Sequence, residues 1–424
     1  MSYRPSMLDT QRNIYIRNNN PLGTTTTIGR AFIGSGLTSY LFSEQAKQFL
    51  KISLIVLIVV IIGIALYYYF KSYEKFENPN DTDRVKAQKK SRVDYIKNIV
   101  NSVSTLQLDP IDVNMVKLVN LQMPCTKQAG FMGPYTDGVF DESESVLNQL
   151  KMNIRTFFLQ IDYINSDKLS KDKFPNKLKP SLFYTDKNGA INSYNSSDIG
   201  TLFSYIKEFS FNDNAVNNKN DPILILLHFV KLPYNTSQIE EYTKYLGIVS
   251  DALSVLGNNM LSGGFYRSEK EKELFSTKFK DISQKIIVGT NIDTSVFTKS
   301  TLVNTSKDLN YKIHFHYWVK GEEKVDATSK TNDLNKHAFI YNSSTLLNMD
   351  DTAKENWKLE NKGKFIIVKT PNNTDLSQKN MDKLLNDFGV NIINYNFFNE
   401  VDLTKPIRKL YGYQKIKPVF LQLD

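Results

Sequence analysis

Between Lys51 and Lys71 the chain carries no charged side chain for 19 residues, Ile52 to Phe70 (ISLIVLIVVIIGIALYYYF). As a helix rising 1.5 Å per residue, this run spans about 28 Å, the thickness of a bilayer hydrocarbon core. A surface helix keeps a polar face, and a core helix of this length is rarely apolar all round. The run therefore predicts a transmembrane helix over 52–70. Tyr67, Tyr68 and Tyr69 stand where an interfacial aromatic belt belongs, and Lys51 and Lys71 can snorkel from the two ends. Some 50 residues precede the run and no small-residue cleavage site follows it, so it reads as a retained anchor rather than a signal peptide.

Residues 71–90 hold six Lys/Arg (Lys71, Lys75, Arg84, Lys86, Lys89, Lys90) and residues 31–51 hold two (Lys47, Lys51). The positive-inside rule then puts the long C-terminal part on the cytosolic side. Cys125, the one cysteine, excludes an intramolecular disulfide and any zinc site built on several thiolates, and it agrees with a reducing compartment. Sequons at Asn195, Asn235, Asn304, Asn342 and Asn372 point the other way, but a chain with 42 asparagines forms such triplets by composition.

With 424 residues, 41% hydrophobic and 23% charged, the chain is neither disordered nor fibrous, and it is long enough for a large α/β domain with appendages. Of the net charge of +9, residues 1–70 supply six basic against two acidic groups. The other 47 basic and 42 acidic groups spread over more than 350 residues, which is not a nucleic-acid footprint. No nucleic-acid partner is expected.

The pattern divides the chain into a flexible polar tail over 1–36, a juxtamembrane segment over 37–51, the anchor, a charged tether over 71–91 and a folded domain over 92–424. In that domain the expected strands are Val116–Leu121, Thr156–Ile161, Ser181–Tyr184, Ile223–Leu227, Lys285–Val288, Phe365–Val368, Asn391–Tyr395 and Gln414–Leu421. Helices are expected near 141–153, 197–209, 238–256 and 375–387. The third opens on a capping box, Ser237 to Glu240, and carries one apolar stripe through Ile239, Tyr242, Leu246, Val249, Leu253 and Leu256. Alternating strands and helices call for a parallel sheet, and near-continuous apolar strands such as ILILL and KFIIV mean burial on both faces.

On such a sheet, reactive groups stand at or just past the carboxyl ends of the strands. The residues read there are MPCTKQAG (Met123–Gly130), NIRTFFLQIDY (Asn153–Tyr163), PSLFYTD (Pro180–Asp186), DPILILLHF (Asp221–Phe229), KIIVG (Lys285–Gly289) and NIINYN (Asn391–Asn396), with Gly412-Tyr413 and Lys417-Pro418 near the end. In order and spacing this series resembles the phosphatidylinositol-specific phospholipase C superfamily of PLC-like phosphodiesterases, over about 110–420 apart from 258–362. The resemblance implies an α/β fold, a distorted (β/α)8 TIM-type barrel, here preceded by a single transmembrane helix.

It also implies a site, which this chain departs from. Two histidines on different strands cleave the phosphodiester in the family; Lys127 stands at the first position, PSLFYTD has none at the second, and His228 replaces a glutamate. Phe158 and Gln160 occupy places where charged residues are usual, so the oxygen ligands of a calcium-assisted variant are missing. A lysine is ordinarily protonated and is no general base unless burial lowers its pKa strongly. What remains is a vestigial pocket of Lys127, Gln128, Arg155, Asp162, Tyr184, Asp186, His228 and Tyr395, with no catalytic set, no metal and no cofactor. His314 and His316 alternate on one strand face without an evident third ligand, His337 has no neighbour that assigns it a role, and Cys125 has no assignable base; ordinary packing accounts for each.

The expected function is that of a single-pass membrane protein displaying a catalytically inactive phospholipase-C-like barrel, with a structural or binding role. Its expected partners are the bilayer through 52–70 and a protein or lipid headgroup at the barrel mouth. Two alternatives stand beside it: an active, membrane-tethered phosphodiesterase using Lys127, Asp162, Asp186 and His228, and a glycosylated surface receptor or adhesin. The Asn-, Lys- and Ile-rich usage is that of an AT-rich genome, as in a large DNA virus, which suggests a virion or host membrane.

Overall fold

The computed structural model describes residues 44–74, 83–104, 114–135, 138–163, 179–184, 193–212, 216, 218–261, 268–320, 336–371, 376–398, 415–417 and 422. The chain divides into two units, Met1–Lys75 and Phe76–Asp424. The expected tail over 1–36 lies outside the described residues.

In the first unit one helix, α1 (Glu44–Glu74), contains the whole apolar run. Its large apolar side chains from Ile52 to Leu66 are exposed. Those described side chains amount to about 22 Å of helix, short of a hydrocarbon core. Among the described residues no helix is long and apolar enough to cross a membrane.

The second unit begins with α2 (Asp83–Ser104). The stretch read as tether is thus helical from Asp83, and Val85 is buried among outer-face side chains of the domain. Eight barrel strands follow among the described residues: β1 (Leu121–Thr126), β2 (Thr156–Asp162), β3 (Ile223–Phe229), β4 (Ile286–Thr290), β5 (Phe315–His316 continued by Trp318–Lys320), β6 (Ala338–Asn342), β7 (Phe365–Lys369) and β8 (Ile392–Tyr395). Each pairs in parallel with the next, and β8 pairs with β1. The sheet passes from β4 to β6 through the interrupted strand β5: Phe315–His316 pairs with β4 and Trp318–Lys320 with β6, with Tyr317 between. Spatial order therefore equals chain order around the ring, the (β/α)8 TIM-type arrangement.

The connections carry α3 (Glu142–Lys151), α4 (Ile199–Ser210), α5 (Ile239–Leu253), α6 (Ser268–Ser276), α7 (Ser343–Leu347), α8 (Asp351–Asn361) and α9 (Gln378–Asp382). Aspartates at the N-caps start three of them: Asp141, Asp198 and Asp350 accept from the backbone N–H three residues on, satisfying a donor the helix cannot. Alternate strand residues fill the barrel, among them Cys125, Phe158, Leu226, Ile287, Ile340 and Ile367. The other set packs outward against the helices in two further clusters. Burial on both faces is why these strands lack polar alternation. Gly289 is required by packing, since a Cβ there would lie 2.4 Å from the Phe315 ring.

Four expectations are corrected. The first strand is Leu121–Thr126, not Val116–Leu121, with a 3-10 turn, Leu118–Asn120, leading into it. Pro124 obscured it, because a proline within a run argues against an interior strand. The barrel accommodates it: the N–H groups of Met123 and Lys127 go to β8, Pro124 faces β2 without a donor, and the β1–β2 ladder shrinks to Cys125 opposite Thr156. Ser181–Leu182 is a two-residue antiparallel addition to the end of β2, so the third barrel strand is β3. The capping box does not form: Asn235 takes the Ser237 backbone and hydroxyl, and Glu240 accepts from Thr301 instead. The terminal strand is limited, among the described residues, to Lys415–Ile416, antiparallel to β1.

Candidate functional site

The carboxyl ends of the strands form the mouth of the barrel. Lys127, the first residue past β1, is only 2% exposed. Its Nζ donates to the Pro371 carbonyl just past β7 and lies 3.5 Å from the Tyr135 hydroxyl, 4.6 Å above that ring. This contact ties β1 to β7 across the opening.

Carboxamides fasten the rest. Gln128 accepts from the Gln160 N–H at 2.7 Å and donates to the Gln160 carbonyl at 3.2 Å, as an added strand residue would, while Gln160 Nε2 donates to the Lys127 carbonyl at 3.3 Å. Asn291, just past β4, makes the same two-way pairing with Phe229 of β3, at 2.8 and 2.9 Å. Asn394 of β8 accepts from the Thr370 N–H at 2.7 Å, and the Thr370 hydroxyl donates to the Asn394 carbonyl at 2.9 Å. Its Nδ2, fully buried, has no hydrogen-bond partner.

His228 enters from β3 with its ring 5.0 Å from Phe158 and 6.2 Å from Tyr317, nearly parallel to the latter, and is 4% exposed. Burial, and after it the charge of Lys369, pushes its pKa well below the ordinary imidazole value. The ring is therefore neutral, and its Nδ1 has no partner. Tyr317 donates its hydroxyl to the Leu227 carbonyl at 3.0 Å. Cys125 is buried below the mouth with Sγ 3.3 Å from the Thr126 carbonyl, and desolvation raises its pKa well above the usual thiol value. A thiol held protonated is not a nucleophile at neutral pH. Asp162, at the end of β2, accepts from the Tyr163 N–H at 2.7 Å and lies 3.8 Å from Lys231 Nζ; burial outweighs both and raises its pKa.

Of the residues singled out in the sequence, Lys127, Gln128, Asp162 and His228 do stand at the strand ends. Tyr184 lies 5.7 Å ring to ring from Tyr135 and stacks at 4.8 Å on Phe131. Tyr395 faces the outer cluster against Phe397, and its carbonyl accepts from the Lys127 backbone N–H. Arg155 stands at the opposite end of the barrel, where it donates to the carbonyls of Ser210, Asp221 and Pro222. Asp186 lies outside the described residues. The sequence reading missed Asn291, Tyr317, Thr370 and Asn394; the signal they offered was a polar residue within two positions of a strand end.

The other imidazoles are elsewhere. His314 accepts from the Val288 N–H and pairs its Nε2 with the Leu261 carbonyl, both at 2.9 Å, so its ring is a strand-edge staple. His316, outside the barrel, lies 3.0 Å from Glu271 and 3.0 Å from the Thr294 hydroxyl. His337 precedes β6, and its carbonyl accepts from Phe365 N–H. Among the described residues no three His, Cys, Asp or Glu could hold a metal ion together. A hard divalent cation needs several oxygen donors, and among the described residues of this mouth Asp162 supplies a carboxylate while the Gln128 oxygen is committed to the Gln160 N–H. A concavity of about 500 Å³ lies away from the mouth, beside Lys207, Phe211 and Val255.

No family model and no curated protein matches this sequence. Solved structures with a similar course include S. officinalis PLC21, with a TM-score of 0.44 and 12% identity over 73% of this chain and 38% of that one. A calcium-dependent phosphoinositol-specific phospholipase C from Pseudomonas sp. gives 0.43 and 12%, over 72% and 98%. A phosphatidylinositol-specific phospholipase C from Streptomyces antibioticus gives 0.43 and 10%, over 71% and 99%. The chain spans well under half the length of the PLC21 protein it is similar to. Fold and site together define a TIM-type α/β barrel whose mouth is cross-tied by buried amides and one lysine.

Proposed function

We propose that this chain is a single-pass membrane protein, anchored by residues 52–70, that displays a barrel of the PLC-like phosphodiesterase kind as a non-catalytic binding or structural module. The observation that carries the reading is the state of His228. It is the imidazole that enters the barrel from a strand end, and it is buried between Phe158, to which it is tilted, and Tyr317, on which it is stacked, and held neutral. Acid–base cleavage of a phosphodiester at neutral pH needs one group to take a proton and a second to return it, both within reach of the substrate. Here the amides of Gln128, Gln160, Asn291 and Asn394 do not titrate, and Lys127 is spent on the Pro371 carbonyl. The exposed apolar surface of α1 and the basic residues after it support an anchor with the barrel on the cytosolic side. Residue usage alone supports placing it in the membrane of a large DNA virus or its host.

The full chain in lipid nanodiscs, assayed with phosphatidylinositol and with a soluble phosphodiester, with and without calcium, is expected to show no turnover. Turnover abolished by Lys127→Ala or His228→Ala would establish the active-enzyme alternative. Mass lost on endoglycosidase treatment would favour the receptor alternative and reverse the orientation.

A further inference from the structure

Eight residues, 75–82, separate the last residue of α1 from the first of α2. Helix α2 is fastened along one side: Val85 and Ile96, three turns apart, are buried in the outer cluster with Met132 and Val139, and Lys89 lies 3.7 Å from Asp141. Arg92 lies against Gly133, where a Cβ would come within 3.1 Å of its Nε, and Asn396 donates to the Gly133 carbonyl at 3.1 Å. This flank of α2 therefore borders the rim of the mouth.

With that face fixed, the flank about 110° round the helix is fixed too. At about 100° per residue, Lys86, Lys90 and Lys97 fall within about 40° of one another, in a stripe about 16 Å long. All three are exposed, and Asp94 is the exposed acidic residue between them. Because the helix is held by its buried side, the three charges are presented as a set rather than scattered by a coiling segment.

We propose that this stripe is a docking face for anionic lipid headgroups, which rests on the anchored reading above. Charge complementarity selects the occupant: the cytosolic leaflet is negative, and each lysine brought to it raises the docked population about fivefold, so three act on the order of 100-fold. Chain length makes the encounter local, since eight residues reach at most about 30 Å from the helix that carries the anchor. The stripe would hold the barrel by one flank of its mouth against the bilayer, which a single tether does not do.

The test uses the full chain reconstituted in vesicles of phosphatidylcholine alone or mixed with phosphatidylserine. Flotation after an alkaline wash reports the anchor, and acylation rates of individual lysines report docking, with exposed Lys244 on α5 as the internal reference. Lys86, Lys90 and Lys97 are expected to be protected in phosphatidylserine vesicles relative to phosphatidylcholine, with protection falling as salt shortens the Debye length from about 10 Å at 0.1 M to about 3 Å at 1 M. In a chain carrying Lys90→Gln and Lys97→Gln, Lys86 should lose most of its protection, on the order of 25-fold, while flotation is unchanged. Equal labelling of the three lysines in both vesicles, in a chain that floats, overturns the proposal. Protection by a soluble polyanion such as heparin but not by phosphatidylserine overturns it in favour of an acidic macromolecule. A chain that fails to float from phosphatidylcholine overturns the anchored reading, and salt-sensitive protection by phosphatidylserine in that same chain would still uphold the stripe.

Discussion

At the base of the barrel, Arg155 donates to three backbone carbonyls and Lys417 Nζ donates to the Lys364 carbonyl at 3.0 Å. At the mouth, Lys127 does the same to Pro371, and the remaining ties are made by Gln128, Asn291 and Asn394. Both ends bury donors on carbonyls, but they differ in what titrates. Burial draws Arg155 down to about 10 against the pull of Asp221, and brings Lys417 to about 7. The mouth carries uncharged amides and a neutral imidazole beside Lys127 and Asp162, whose carboxyl burial pushes up. In barrels of this kind the base ordinarily serves stability and the mouth chemistry. In this chain the mouth, too, is built as a fastening, with Lys127 and the amides bridging its strand ends.

The strongest break is at Arg155. Arg155→Ala should cost about 3–5 kcal/mol, because three buried carbonyls lose their donor; chemical denaturation measures it, and a loss below about 1 kcal/mol would show that the base is held otherwise. Should that variant not fold, Arg155→Lys keeps the charge without the fork and is expected to lose about 1–2 kcal/mol.

Lys417 sharpens the contrast through pH. Its folded pKa lies below the unfolded 10.5, so the unfolded chain binds the extra proton between about 7 and 10.5. Stability therefore rises with pH across that window, and the burial penalty is complete below about 7. Lys417→Met should be about 3 kcal/mol more stable than the natural chain at pH 6, with little gain at pH 10. Thermal melts at the two pH values decide it; equal shifts would mean that the lysine is not desolvated.

At the mouth, Gln128→Ala removes two backbone ties to Gln160 and should cost about 1–2 kcal/mol, independent of pH. The smallest effect at neutral pH belongs to His228→Phe, which keeps an aromatic between Phe158 and Tyr317. The natural histidine stays neutral when folded and protonates when unfolded, so stability is whole above about 6.5 and falls as pH drops below it. The variant should flatten that fall, by at most about 1.4 kcal/mol per pH unit. An unchanged acid limb would show that His228 meets solvent.

The barrel was legible where its signals were local. Strands β2, β3, β4, β7 and β8 are built on short, mostly apolar runs, and α3, α4 and α5 carry clear stripes or caps. Strand β5 was not legible, because its two short halves are strands only by virtue of different partners. Nor was β2's antiparallel addition distinguishable from a barrel strand, since both read as short apolar segments. Within the site, Lys127 and His228 were legible as residues at strand ends, whereas Arg155, one residue before β2, was assigned to the wrong end. The amide staples were invisible as such: Gln128 meets Gln160 thirty-two residues away and Asn291 meets Phe229 sixty-two away.

Sequence by itself determined the apolar run and the doubly buried character of the strands, because each depends on residue type at short spacing. Tertiary structure alone decided how the ring passes through Phe315–Lys320, which polar groups close the mouth, and which flank of α2 carries its lysines outward. Those features depend on register between distant segments, and register is set by packing of the assembled barrel rather than by any window of its sequence.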